Sequence, residues 1–142
     1  MKILFLDHDG VICLRNQWGS RFSKKSKKVG NKFDHFCPKA IRVLNDIIKA
    51  TDCEIVVSSD WRTKCSLQEM QVLYNDRGIL KVPIDYTRVA SDTEPAIWEE
   101  TKEYKDFYAL AARVRETEIN DFLKKHNKNI ISWVAVDDLN MN

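Results

Sequence analysis

The sequence predicts an α/β fold: a Rossmann-like open, mostly parallel sheet with helices on both faces and a small basic cap insertion. Three observations lead there. Short apolar runs rich in β-formers recur at 1–6, 53–58 and 130–136. Segments with helical periodicity lie between them. Every run ends in polar residues, namely Asp7 and Asp9, Ser58 and Ser59, and Asp137 and Asp138. In open sheets of this class the ligand sits beyond the carboxyl ends of the strands, so these carboxylates and hydroxyls are expected to converge. At 142 residues with 44% hydrophobic content, the chain suits a single domain over 1–142.

The first run, Ile3-Leu4-Phe5-Leu6, reads as a fully buried parallel strand that stops at Asp7-His8-Asp9-Gly10. Residues 15–37 read as a basic loop or cap insertion, because Ser23-Lys24-Lys25-Ser26-Lys27-Lys28 has no periodicity that would bury a face. Pro38 opens a helix over about 38–50, with Ile41, Leu44, Asn45 and Ile48 at i, i+3, i+4, i+7 spacing and Asn45 the polar exception. The run at 53–58 is the second strand, and strand, helix, strand implies a right-handed parallel unit. Ser66 with Glu69 has the S-x-x-E pattern of a capping box, starting a helix to about Asn75 that Gly78 ends. Residues 79–86 offer another strand, restricted to an edge or an irregular course by Pro83. The acidic and aromatic stretch at 92–112 reads as a helical insertion. Residues 118–125 read as a helix with Ile119, Phe122 and Leu123 on one face, and 130–136 as a last buried strand.

The net charge of +2 provides no whole-molecule field that would argue for a nucleic-acid or membrane partner. That average conceals an asymmetry. Between Arg15 and Arg42 nine Lys and Arg face one acidic residue, Asp34, so this stretch carries +8 and the remainder −6. A basic lid can steer a polyanion, and a solvated loop kept soluble by lysines is the alternative. No apolar run approaches the roughly 20 residues of a membrane-spanning helix, and none has signal-peptide length. A cytoplasmic protein without a membrane partner is expected. Cys13, Cys37, Cys53 and Cys65 include no C-x-x-C pair and read as reduced thiols.

Four ordered motifs carry the chemistry: Phe5-Leu6-Asp7-His8-Asp9-Gly10-Val11, then Val57-Ser58-Ser59-Asp60-Trp61-Arg62, then Arg115-Glu116-Thr117-Glu118-Ile119, then Val136-Asp137-Asp138. In an extended segment residues i and i+2 project to the same side, so Asp7 and Asp9 can face one phosphate while His8 points away into packing. With these motifs the chain resembles the haloacid dehalogenase-like (HAD) phosphohydrolase superfamily, and within it the small HAD domains of RNA-repair proteins and their phage relatives.

The resemblance implies a Mg²⁺-dependent phosphatase working through an aspartyl-phosphate. It makes Asp7 the nucleophile and Asp9 the general acid and base. Ser58, with Ser59 as a neighbour able to exchange roles, would hydrogen-bond the transferring phosphoryl group, and Arg115 would neutralise it, with Arg113 in reserve. The metal ligands would be Asp7, the Asp9 carbonyl, and Asp137 or Asp138, with Asp137 favoured. Arg62, which could bind phosphate bidentately, Gly10 at the turn, and Lys24 and Lys25 of the insertion complete the expected substrate contacts. The expected substrate is a phosphomonoester on a nucleotide or on an RNA or DNA end. Two alternatives stand beside it: a non-catalytic nucleic-acid-binding accessory domain, and a phosphatase for small metabolites.

Overall fold

The structure is a computed structural model that describes residues 1–13 and 36–141. Four parallel strands form one sheet: β1 (Lys2–Leu6), β2 (Glu54–Val57), β3 (Asp85–Tyr86) and β4 (Ser132–Val136), in the order β3-β2-β1-β4. Among the described residues the helices are α1 (Pro38–Thr51), α2 (Leu67–Asp76), α3 (Pro95–Thr101) and α4 (Phe107–Lys125), with a 3-10 turn at Asp60–Thr63. Because β2 lies on one side of β1 and β4 on the other, the chain changes direction across the sheet beside β1. A crevice at the carboxyl ends of the strands follows from that reversal.

Alternation along β1 decides which side chain meets which layer. Leu4 and Leu6, with Ile55 and Val57 of β2, pack against Ile41, Leu44 and Ile48 of α1 and Met70, Leu73 and Tyr74 of α2. Ile3, Phe5 and Val56 face the opposite layer, where Ile119 and Phe122 of α4 cover them. Phe5 is fully buried and meets Phe122 edge to face at 5.5 Å, and burying such a side chain contributes about 1.5–3 kcal/mol. Asp7 continues the Ile3, Phe5 series and so projects toward α4. His8 continues the Leu4, Leu6 series and lies fully buried among Phe36, Trp61 and Tyr74.

The local signals act as their chemistry dictates. Pro38 occupies the first turn of α1, and Asp52 ends that helix at φ 54°. The Ser66 hydroxyl accepts from the Glu69 N–H while the Glu69 carboxylate accepts from the Ser66 N–H, each at 3.1 Å. Gly78 takes φ +75° after α2. Pro83 lacks an N–H, and the third strand begins only beyond it, as two residues at the sheet edge.

Two expectations need correction. The helix expected over 118–125 begins eleven residues earlier, at Phe107, where the Asp106 carboxylate accepts from the Tyr108 N–H at 2.9 Å. Arg115 and Glu118 sit on the buried stripe of α4 with Ala112, Ile119 and Phe122, and two charges in an apolar stripe hide its periodicity. The last strand is not buried: Trp133, Val134 and Val136 are exposed, since among the described residues β4 pairs with β1 alone. A continuous apolar run reads the same whether a strand is covered or at an edge. All four cysteines are free thiols. Among the described residues no helix is long and apolar enough to cross a membrane.

Candidate active site

Strand register brings the polar residues together. Leu6 is paired with Val57 on one side and Val136 on the other, so the next residue of each strand, Asp7, Ser58 and Asp137, emerges at one level. The backbone continues the ladder there: the Asp7 N–H donates to the Val136 carbonyl and the Ser58 N–H to the Leu6 carbonyl, both at 3.1 Å. Past Asp7 the chain turns tightly, with the His8 carbonyl accepting from the N–H groups of Val11, Ile12 and Cys13. Gly10 makes that turn at φ +79°. A Cβ at Gly10 would lie 2.3 Å from Asp138 Oδ2, so both the backbone conformation and the space require glycine.

Arg115 ties the group together from α4. Its Nη1 donates to Asp137 Oδ2 at 2.5 Å and lies 3.5 Å from Asp7 Oδ1, its Nη2 lies 3.3 Å from Asp60 Oδ1, and its Nε 3.3 Å from Glu118 Oε1. Arg115 lies in the middle of α4, facing the strand ends; Arg113 turns outward to Glu100 at 2.6 Å. The Trp61 indole N–H donates to Asp9 Oδ2 at 3.3 Å, which orients the second carboxylate. Asp137 Oδ1 accepts from the Leu139 N–H at 3.0 Å.

The carboxylates of Asp7, Asp137 and Asp138 each offer an oxygen within 4.8 Å of the others. Burial, with Asp137 beside it, pushes the Asp7 carboxyl up to about 7 against the opposing pull of Arg115. Asp137 is raised as well, chiefly by burial. Three carboxylates that converge in this way, all offering oxygen, suit a hard divalent cation such as Mg²⁺. The residues therefore fit that ion. His8 is different: burial, then the nearby Arg115 charge, lowers it to about 3, and its Nε2 shares a 2.6 Å hydrogen bond with the Tyr74 hydroxyl. It is a neutral packing residue in an aromatic cluster, as alternation along β1 implied.

Arg62 requires correction as a bidentate phosphate contact. Every donor nitrogen of the Arg62 guanidinium is engaged by the protein itself. Its Nε donates to the Ser59 carbonyl at 2.6 Å, Nη1 to the carbonyls of Thr87 and Arg88 and to the Thr87 hydroxyl, and Nη2 to both oxygens of Glu118 at 3.0–3.1 Å. A fork filled in this way has nothing left for bidentate phosphate binding. The Ser59 hydroxyl accepts from the Trp61 N–H at 3.2 Å and caps the 3-10 turn. Lys24 and Lys25, with most of the basic insertion, lie outside the described residues.

Glu118 is the residue that sequence reasoning undervalued. It is buried, accepts from Arg62 and the Ala90 N–H, and sits beside Arg115. The signal was present as an R-x-x-E pair on positions that a helix against a sheet would give to apolar residues. Beside these groups opens a cleft of about 460 Å³, whose lining includes Asp7, Asp9, Asp60, Arg115 and Asp138.

No curated protein and no solved structure matches the chain. One family matches it over residues 3–142, described as the HAD domain in Swiss Army Knife RNA repair proteins. That match spans all four motifs and the strand ends on which they converge, and the chain belongs to this family.

Proposed function

We propose that the chain is a Mg²⁺-dependent phosphatase that removes a terminal phosphate from RNA or a related nucleotide. The observation that carries the reading is the convergence of Asp7, Asp137 and Asp138 with Arg115, which bridges Asp7 and Asp137 at the mouth of a cleft. Membership of a HAD family named for RNA-repair proteins supports phosphohydrolase chemistry and an RNA-end substrate.

In this reading an Asp7 oxygen attacks phosphorus and forms an acyl-phosphate bond as the bond to the leaving oxygen breaks. Asp9, oriented by Trp61, gives its proton to the departing alkoxide. It then takes a proton from the water that attacks the aspartyl-phosphate, releasing phosphate and restoring Asp7. Arg115 offsets charge on the phosphoryl oxygens and fixes the Asp7 carboxylate, and the Ser58 hydroxyl donates to one of those oxygens. A cation held by Asp7, the Asp9 carbonyl and Asp137 or Asp138 supplies the positive charge that lets an anionic nucleophile approach an anionic ester.

Phosphate release from 3′- and 5′-phosphorylated oligonucleotides, nucleotides and sugar phosphates, measured in Mg²⁺ and in chelator, tests the reading. Release from an oligonucleotide end that is lost in chelator and in Asp7→Asn is expected. Equal release by the wild type and Asp7→Asn would sink the mechanism, and release from sugar phosphates alone would reassign the substrate. Oligonucleotide binding without turnover would make the chain an accessory domain.

A further inference from the structure

Resting on the phosphatase reading, we propose that Phe107 and Tyr108 form a stacking platform for a nucleobase at a phosphorylated oligonucleotide end, beside the phosphate held at Asp7. The cleft lined by Asp7, Asp9 and Arg115 is lined by these two rings as well. Both are left largely in water, 74% and 72% exposed, although they are among the largest apolar groups of the molecule. Their centroids lie 5.8 Å apart with the planes at 76°. One ring can therefore take a base flat on its face while the other closes the base's edge.

Helix geometry links the platform to the chemistry. Tyr108 and Arg115 are seven residues apart on α4, two turns and roughly 10 Å along its axis, and so lie on the same face. The sugar of a single nucleotide can bridge from a phosphate at Arg115 to a base at Tyr108. Between them Leu110, Ala111 and Val114 make an apolar floor, and the small Ala111 leaves room for a flat group. The charges around the cleft limit what enters. Among the described residues Asp60, Asp92 and Glu118 line it with Arg115 as the cation on its wall, and these carboxylates favour a neutral base there over further backbone phosphates. The cleft thus suits the last nucleotide of a strand rather than its middle. A sugar phosphate has no flat apolar face with which to use these rings. Every base has one, so stacking here would tolerate any sequence.

The test compares kcat/KM in Mg²⁺ for single-stranded hexanucleotides phosphorylated at the 3′ or the 5′ end. Each is used intact and with an abasic terminal nucleotide, on wild type, Phe107→Ala/Tyr108→Ala and Phe107→Leu/Tyr108→Leu. Loss of base stacking lowers the intact-to-abasic ratio about tenfold or more in the alanine pair. The leucine pair also lowers it, because leucine keeps apolar area without a flat ring. A drop with either phosphorylated end supports the platform and identifies the end it serves; an unchanged ratio with both overturns it. Binding of the intact and abasic oligonucleotides to Asp7→Asn separates this inference from the phosphatase reading. If wild type releases no phosphate, that reading fails. A binding preference for the intact strand that vanishes in the alanine pair on the Asp7→Asn background still supports the platform, and the absence of such a preference overturns it.

Discussion

Arg62 and Arg115 are both buried, both touch Glu118, and are surrounded in opposite ways. Arg62 spends its fork on three backbone carbonyls, a hydroxyl and one carboxylate. It joins the 3-10 turn after β2, the segment after β3, and α4. Among the described residues Arg115 meets no backbone acceptor; its partners there are carboxylates, those of Asp7, Asp60, Glu118 and Asp137. Backbone carbonyls cannot move away or change charge, so an arginine committed to them holds the fold. Carboxylates at a cleft can exchange one partner for a phosphate, so an arginine committed to them is available to a substrate. The same residue type, at similar burial, is divided between architecture and chemistry by its acceptors.

The largest expected effect breaks this comparison at Arg62. Arg62→Met leaves Glu118 without its bidentate partner in a buried site and takes the guanidinium donors from the Thr87 and Arg88 carbonyls, while the Ser59 carbonyl keeps the backbone N–H of residue 62. Removing one member of a buried ion pair costs about 3–5 kcal/mol, a large part of the roughly 5–15 kcal/mol that stabilises a typical domain. Urea unfolding followed by circular dichroism should show the midpoint collapse or the protein already unfolded in buffer. A loss below about 1 kcal/mol would remove Arg62 from the architecture.

The matched change at Arg115 sharpens the contrast. In the proposed reaction Arg115→Met deletes the group that would face the phosphoryl oxygens, and the loss of such a preorganised donor is expected to lower turnover by about 100- to 1000-fold. In Mg²⁺, where the cation offsets the same carboxylates, the unfolding midpoint should fall less than in Arg62→Met. Phosphate-release kinetics and urea unfolding on the two variants decide the matter together. If Arg115→Met unfolds while Arg62→Met folds and only loses turnover, the two roles are reversed.

That division was only half legible in the sequence. The strand ends were readable because a buried β-run that stops at acidic or hydroxyl residues has one geometric meaning in a parallel sheet, and Asp7, Ser58 and Asp137 emerge at one level as that meaning requires. The position of Arg115 beside Asp7 and Asp137 agrees with its place in the order of motifs. Arg62 was not readable, because a surface phosphate ligand and a buried brace share the string Ser-Asp-Trp-Arg, and its partners Thr87 and Arg88 come from beyond Pro83. No spacing rule reaches across the sheet to them. The exposure of β4 was illegible for a similar reason: sheet order, not composition, decides whether Trp133 and Val134 have neighbours. Phe107 and Tyr108 lay in a stretch with no readable period because the buried stripe of their helix carries Arg115 and Glu118.

The smallest effect concerns Glu118, which the two arginines share. Burial raises its carboxyl above the ordinary value of 4.5, outweighing the opposing pull of Arg62, the Ala90 N–H and Arg115. A carboxyl with a raised folded pKa binds more protons in the folded than in the unfolded chain once the pH passes the unfolded value. Its contribution to stability is therefore fully present below about 4.5 and declines as pH rises toward the folded value. Glu118→Gln removes that titration and leaves those of Asp7 and Asp137 in place. The stability difference between wild type and Glu118→Gln, measured by urea unfolding from pH 4.5 to 7, should shift steadily against the wild type as the pH rises. The opposite slope would mean that the two guanidinium groups outweigh burial at Glu118, and then Arg62 and Arg115 would both be acting on it as charges, with the backbone commitments of Arg62 no longer setting the two apart.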